Sequence, residues 1–191
     1  MHRLPNTKTV LRALPLILYA LFFAWYTNLS GPVSRTEADD FLNKMRLAEA
    51  DATDVQRWQD FLYSDDGGQF FMVNVSDERK TPLRVAAVTA TETTQETMQR
   101  YMKFMLPRLL QRACMPVFAG NSVGKAMDLT GLDEDLRNWD RVAIMRYRSR
   151  GDLLEIAKEL VSDGSHDYKM AALNKPVALP VNISIYMCEP R

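Results

Sequence analysis

Two hydrophobic periods alternate along this chain, and their order predicts its architecture. From Arg141 to Tyr147 the period is two: Val142, Ile144 and Arg146 point one way, Ala143, Met145 and Tyr147 the other. That alternation predicts a strand between two different environments. Ser149 follows, with Asp152 three residues on, an approximate capping box for the next helix. Leu153, Ile156, Ala157, Leu160 and Val161 then recur at helical spacing, and Gly164 ends the run. The stretch from Trp139 to Lys175 therefore reads as strand, capped helix and a second helical turn.

The same reading extends outward. Gln69 to Ser76 predicts a first strand, with Phe71, Val73 and Val75 on one face and Phe70, Met72 and Asn74 on the other. Thr93 and Glu96 cap a long helix whose inward stripe is Met98, Tyr101, Met102, Met105, Leu109 and Ala113, with Pro107 expected to kink it. Pro116 to Val123 predicts a short edge strand, because proline cannot donate to a ladder. Val177 to Met187 alternates again, with Val177, Leu179, Val181, Ile183 and Ile185 expected to face the core and Asn182, Ser184 and Tyr186 away from it. Ahead of these lie two short amphipathic helices. Ser34 and Glu37 suit the first start, with Ala38, Phe41, Leu42 and Met45 inward; Thr53 and Gln56 suit the second, with Val55, Trp58, Phe61 and Leu62. The order β-α-β-β-α-β predicts a ferredoxin-like α+β domain with helices on one face of an antiparallel sheet. The other face, read as Phe70, Met72, Asn74, Asn182 and Tyr186, is too apolar for water, so a second copy's sheet is expected to cover it.

The N-terminal segment changes the picture. Ala13 to Leu29 is 17 residues without a charge, and Val10 and Leu11 extend it to about 20, the length of a membrane span. Trp25 and Tyr26 sit at the place of an interfacial aromatic belt. Residues 1–35 hold four basic side chains (Arg3, Lys8, Arg12, Arg35) and no acidic one. Basic residues ahead of the span predict a cytoplasmic N-terminus and a domain on the extracytoplasmic, periplasmic side. The sequence thus divides into an anchor over 1–35 (span about 10–29), a helical pair over 36–66 packed on the domain, and the α+β domain over 67–191. The remaining 20 basic and 24 acidic residues leave that part mildly acidic. Without a basic stripe, nucleic acid is excluded as a partner.

The element order, the Tyr101 helix, the Gly120 strand end, Trp139-Asp140 before the third strand and His166-Asp167-Tyr168 before the last resemble the dimeric α+β barrel superfamily, closest to its small families of unknown function. The resemblance covers roughly residues 67–191. It implies a homodimer. Relatives include cofactor-free monooxygenases, haem-using enzymes and dehalogenating or isomerising enzymes, so fold alone selects no chemistry. The chain departs from the group in its N-terminal segment and helical pair, and in Ala113-Cys114-Met115, where relatives often carry a glycine pair.

Candidate chemistry is sparse. Two histidines, His2 and His166, and two cysteines, Cys114 and Cys188, are too few and too scattered for a metal centre, so no metal and no cofactor are expected. The two thiols fall toward opposite sheet edges and are expected to be free and buried. Gly120 to Ala126 looks like a phosphate loop but is one residue short and lacks the magnesium-binding hydroxyl, so it reads as a turn. Arg146 shares a face with Val142 and Ile144; a buried guanidinium there needs a carboxylate such as Asp140 or Glu155, several acceptors, or an anionic ligand. Two functional readings follow. In one, Tyr101, Trp139, Arg146, His166 and Tyr168 line a pocket for a small apolar or aromatic molecule, with His166 or Tyr101 moving protons in a cofactor-free oxidation or isomerisation. In the other, the domain is a non-catalytic dimerisation module of a membrane-associated complex. A pocket lined by Tyr101, Trp139 and His166 favours the first; a filled core with an apolar exposed face on Phe41, Trp58 and Phe61 favours the second.

Overall fold

The structure is a computed structural model that describes residues 7–182 apart from 87, 128–130 and 132, with side chains from Leu11 onward. Helix α1 (Thr7–Tyr26) leads into α2 (Arg35–Leu47) and α3 (Ala52–Tyr63). The domain follows as β1 (Phe70–Glu78), α4 (Thr94–Gln111), β2 (Met115–Asn121), β3 (Arg141–Tyr147), α5 (Arg150–Ser162), α6 (His166–Ala172) and β4 (Leu173–Val181). A 3-10 turn, Glu134–Leu136, lies between β2 and β3. The four strands form one antiparallel sheet in the order β2-β3-β1-β4, the arrangement expected from the split β-α-β pattern. β2 is an edge strand, as Pro116 required.

Local signals set the helix starts. Ser34 with Glu37, and Thr93 with Glu96, form reciprocal capping boxes, and Ser149 accepts from the Asp152 amide. For α3 the cap is Asp51, which accepts from Thr53, rather than the expected Thr53–Gln56 pair. α6 passes into β4 with no turn residue between them, so the last strand begins at Leu173, four residues before the alternation suggested. Its expected continuation from Ile183 to Met187, including Tyr186, lies outside the described residues, as do His2 and Cys188.

The two sheet faces are the reverse of the expected ones. Phe70 pairs with Tyr147 and Met72 with Met145, and this face lies under the helices. Phe70 and Tyr147 stack with centroids 5.3 Å apart and join Tyr101, Met105, Leu109, Cys114, Ile156 and Leu160 in the core. The open face is made by Phe71, Val73 and Val75 of β1 with Ile144 and Val142 of β3, Phe118 of β2, and Val181, Leu179 and Val177 of β4. Leu179 is 56% exposed and Val177 46%, so these side chains do not face the core. Both faces of β1 are apolar, and alternation cannot say which one the helices cover. Met102 also leaves the expected inward stripe: it lies exposed on α4, in the same row as Leu106 and Leu110.

The helical pair is built into the domain. Ring contacts run from Phe41 to Trp58 (5.1 Å), Phe61 (5.9 Å) and Phe70 (5.3 Å), joining a small cluster of Ala38, Leu62 and Leu154 to the main core. α1 is different. Leu14, Leu16, Ile17, Leu18, Leu21 and Phe22 are each at least half exposed. Among the described residues no helix is long and apolar enough to cross a membrane. α1 carries Arg12 within its length, and Lys8 one turn before it. The expected membrane-spanning anchor is therefore not supported.

The face assignment predicts an asymmetric pair of variants. Phe70→Ala, under the helices, should cost about 3–5 kcal/mol in urea unfolding. Val177→Ala, on the open face, should change the unfolding free energy of a monomeric sample by less than about 0.5 kcal/mol. Equal costs would contradict the assignment.

Candidate functional site

A dense polar construction lies where β3 leaves the sheet. The run Arg146-Tyr147-Arg148-Ser149-Arg150 places three arginines at alternate positions as strand gives way to helix. A helix ends with its last carbonyls lacking an intrahelical partner and with partial negative charge. Each arginine meets such an end.

Arg146 is 4% exposed. Its Nε donates to Gln69 Oε1 (2.7 Å), one Nη to the Ala113 carbonyl (2.6 Å) and the other to the Tyr26 carbonyl (3.1 Å). The guanidinium also lies 3.8 Å from the Tyr26 ring centroid. Of the partners open to it in the sequence, the structure selects several neutral acceptors. Neither Asp140 nor Glu155 is among them, and the carboxylate pairing is corrected accordingly: planar donors match carbonyls at the ends of α1 and α4 without leaving the sheet. Arg148 grips Asp152 through two bonds (2.8 and 2.7 Å) and donates to the Trp25 carbonyl (3.0 Å). Arg150 bonds the Phe61 carbonyl and Ser64 Oγ at the end of α3, and lies 4.6 Å from the Phe61 ring centroid. The indole of Trp25 is shared between the Leu110 and Gln111 carbonyls at 3.2 Å each, so the last turn of α1 caps α4 in return.

The chain beyond α1 is equally tied. Asn28 donates to the Gly31 and Gly67 carbonyls (2.8 and 2.9 Å), and Val33 donates to Asp65 (2.8 Å). Gly67 has φ +77°, and a Cβ there would lie 2.7 Å from the Gly31 carbonyl carbon, so only glycine fits this crossing. Ala113 sits at φ +51°, a conformation that costs an alanine about 1–2 kcal/mol. The carbonyl of the same residue receives Arg146, which holds the turn in place.

The five residues expected to share a pocket are dispersed. Tyr101 is buried in the core, and burial pushes its phenol up to about 12, so it keeps its proton at neutral pH. Lys169 lies 5.9 Å from the Tyr101 ring. His166 opens α6, half-buried, and burial followed by the nearby Lys169 charge lowers its pKa. Tyr168 stacks on Phe104 at 6.0 Å, with Arg100 5.3 Å from its ring. These three surround the contact between α4 and α6. Trp139 lies elsewhere, its indole on the Leu136 carbonyl (2.7 Å) with Lys175 beside the ring. It precedes β3 while Arg146 is the last residue but one of that strand, about 23 Å away along an extended chain. Two clefts stand out, and none of the five lines either. One, of about 440 Å³, runs along Asn28, Pro32, Ser34, Glu37, Arg148 and Asp152. The other, of about 300 Å³, is lined by Thr89, Glu92, Glu96, Arg100 and Lys103. Among the described residues no group of three or more histidine, cysteine or acidic side chains could hold a metal ion. Of the stretch Gly120 to Ala126, Gly120 and Asn121 end β2 and the rest is a bend, held by Ser122 and Ala126 amides on the Asp140 and Arg137 carbonyls.

Neither a family model nor a curated protein matches this chain. Among solved structures, a protein of unknown function from Rhodopseudomonas palustris is similar over 68% of this chain and 93% of its own, with 19% identity and a TM-score of 0.55. Its methylated form gives 69%, 92%, 18% and 0.56. A dimeric protein of unknown function with a ferredoxin-like fold, from Bacteroides fragilis, covers 62% of this chain at 8% identity and a TM-score of 0.35. At these identities the Rhodopseudomonas likeness shows a shared fold and leaves function to the residues.

Two outcomes are expected. Arg146→Ala leaves the Ala113 and Tyr26 carbonyls without their donor, and should cost about 2–4 kcal/mol and open the Thr27–Pro32 segment to protease. Arg146→Lys should not restore protection, because one ammonium cannot reproduce the planar fork; full protection in Arg146→Ala would contradict the clasp. Burial pushes the Cys114 thiol up to about 11. Above the unfolded thiol's value of about 8.5 only the unfolded state loses the proton, so this contribution is complete below that pH and is lost as pH rises toward 11. The loss reaches about 3 kcal/mol, and Cys114→Ala should flatten that part of the stability profile.

Proposed function

We propose that this protein is a membrane-attached assembly module: α1 lies in lipid, and the open sheet face pairs with a second copy. One observation carries the reading. The apolar side chains of α1 project from the domain, while its last turn is built into the domain by Arg146, Arg148 and Trp25. Such a helix in water exposes an apolar surface far larger than a soluble monomer tolerates, and lipid removes that cost. The proposal concerns attachment.

The second part rests on the open face of Phe71, Val73, Phe118, Ile144, Val177 and Leu179. An apolar sheet face can meet its own copy across a two-fold axis, and stacked sheets interdigitate about 10 Å apart. The core beneath the helices is filled by Tyr101, Met105, Leu109 and Ile156, which favours assembly over a ligand chamber.

The test has two arms. The full chain should float with phosphatidylcholine–phosphatidylglycerol vesicles, and Ile17→Glu with Leu21→Glu should abolish flotation. In mild detergent, light scattering should show a dimer that Leu179→Lys weakens by roughly a hundredfold or more, since it buries an unpaired ion. Leu179 is exposed in the single chain, so the variant should keep its circular dichroism. A full chain that stays in solution as a monodisperse monomer would refute both parts.

A further inference from the structure

We infer that the end of the domain around the arginine clasp is itself a lipid-contact surface, so that the domain rests against the membrane instead of hanging from it on a tether. The inference rests on the membrane reading of α1. Three observations carry it. First, there is no tether: the Trp25 and Tyr26 carbonyls are bonded to Arg148 and Arg146, and the following residues are tied to Gly67 and Asp65. The last lipid-facing turn and the first domain residues are one construction.

Second, apolar side chains are exposed at the level of that turn. Leu29, three residues past α1, is 67% exposed, and Leu110, whose carbonyl receives the Trp25 indole, is 45% exposed. Leu106 lies one turn back along α4 and is 37% exposed. A helical turn rises about 5.4 Å, so whatever the angle of α4, Leu106 stays within the reach of a headgroup layer about 5–8 Å deep. Third, the neighbouring cations are occupied: Arg108 pairs with Glu159 and Asp163, and Arg112 with Glu159. The patch therefore offers leucine and tryptophan to the interface, continuous with the apolar surface of α1, and lipid is the occupant that fits both.

The experiment uses the full chain with Cys188→Ser and single Leu29→Cys, Leu106→Cys, Leu110→Cys or Leu136→Cys substitutions. Each cysteine carries an environment-sensitive nitrobenzoxadiazole label. The samples are bound to phosphatidylcholine–phosphatidylglycerol vesicles with and without lipids brominated near the headgroup. Labels at 29, 106 and 110 should shift to the blue and lose about half their emission to brominated lipid, as expected for groups 5–10 Å deep. The label at 136, beyond the far end of β3, should do neither. Flotation with all four labels in water would overturn the inference while leaving attachment standing. A blue shift without quenching would mean that protein, not lipid, covers the patch, and would overturn it as well. Failure to float would remove the attachment reading and this inference with it.

Discussion

Three helix ends converge on one short stretch of chain, and their unpaired carbonyls are the constraint on which the arrangement depends. A buried carbonyl without a donor costs free energy comparable to a lost hydrogen bond. Arg146 and Arg148 supply donors to the end of α1, Arg146 also to the Ala113 turn after α4, and Arg150 to the end of α3. Because β3 and α5 are continuous with these arginines, every helix end they hold is fixed to the sheet. Asp152 balances Arg148 and at the same time accepts the Ser149 hydroxyl, so the start of α5 belongs to the same network.

That network explains why the N-terminal segment and the domain form one object. The aromatic chain from Phe41 through Trp58, Phe61 and Phe70 to Tyr147 joins the helical pair to the core by apolar contact. Among the described residues, α1 is joined to the domain by polar bonds from its last turn. The division of labour fits a helix whose apolar surface is reserved for another medium. Arg146, 4% exposed, gives its bonds there to three neutral acceptors.

The order and type of the elements were legible because period-two runs and capping pairs such as Thr93–Glu96 are local signals. The sheet faces were not. Phe70-Met72 and Phe71-Val73 are both apolar, and only pairing with Tyr147 and Met145 reveals which set the helices cover. The start of β4 was hidden because Ala172 and Leu173 join helix to strand without a glycine or proline. Of the clasp, Arg146 was visible as a buried guanidinium, but its partners at residues 26 and 113 are far away in sequence. The alternating arginines of Arg146-Tyr147-Arg148-Ser149-Arg150 were the available signal. Tyr101, Trp139, His166 and Tyr168 stood out by chemical type, which says nothing of whether the fold gathers them.

The central claim is that α1 and the domain move as one body because their helix ends share donors. Its most direct measurement is the distance between spin labels at Ile17→Cys on α1 and Val161→Cys on α5, in the full chain with Cys188→Ser bound to vesicles, by pulsed dipolar spectroscopy. A rigid clasp predicts one narrow distance distribution that broadens in Arg146→Ala. A broad distribution in the unaltered clasp, unchanged by Arg146→Ala, would contradict the account.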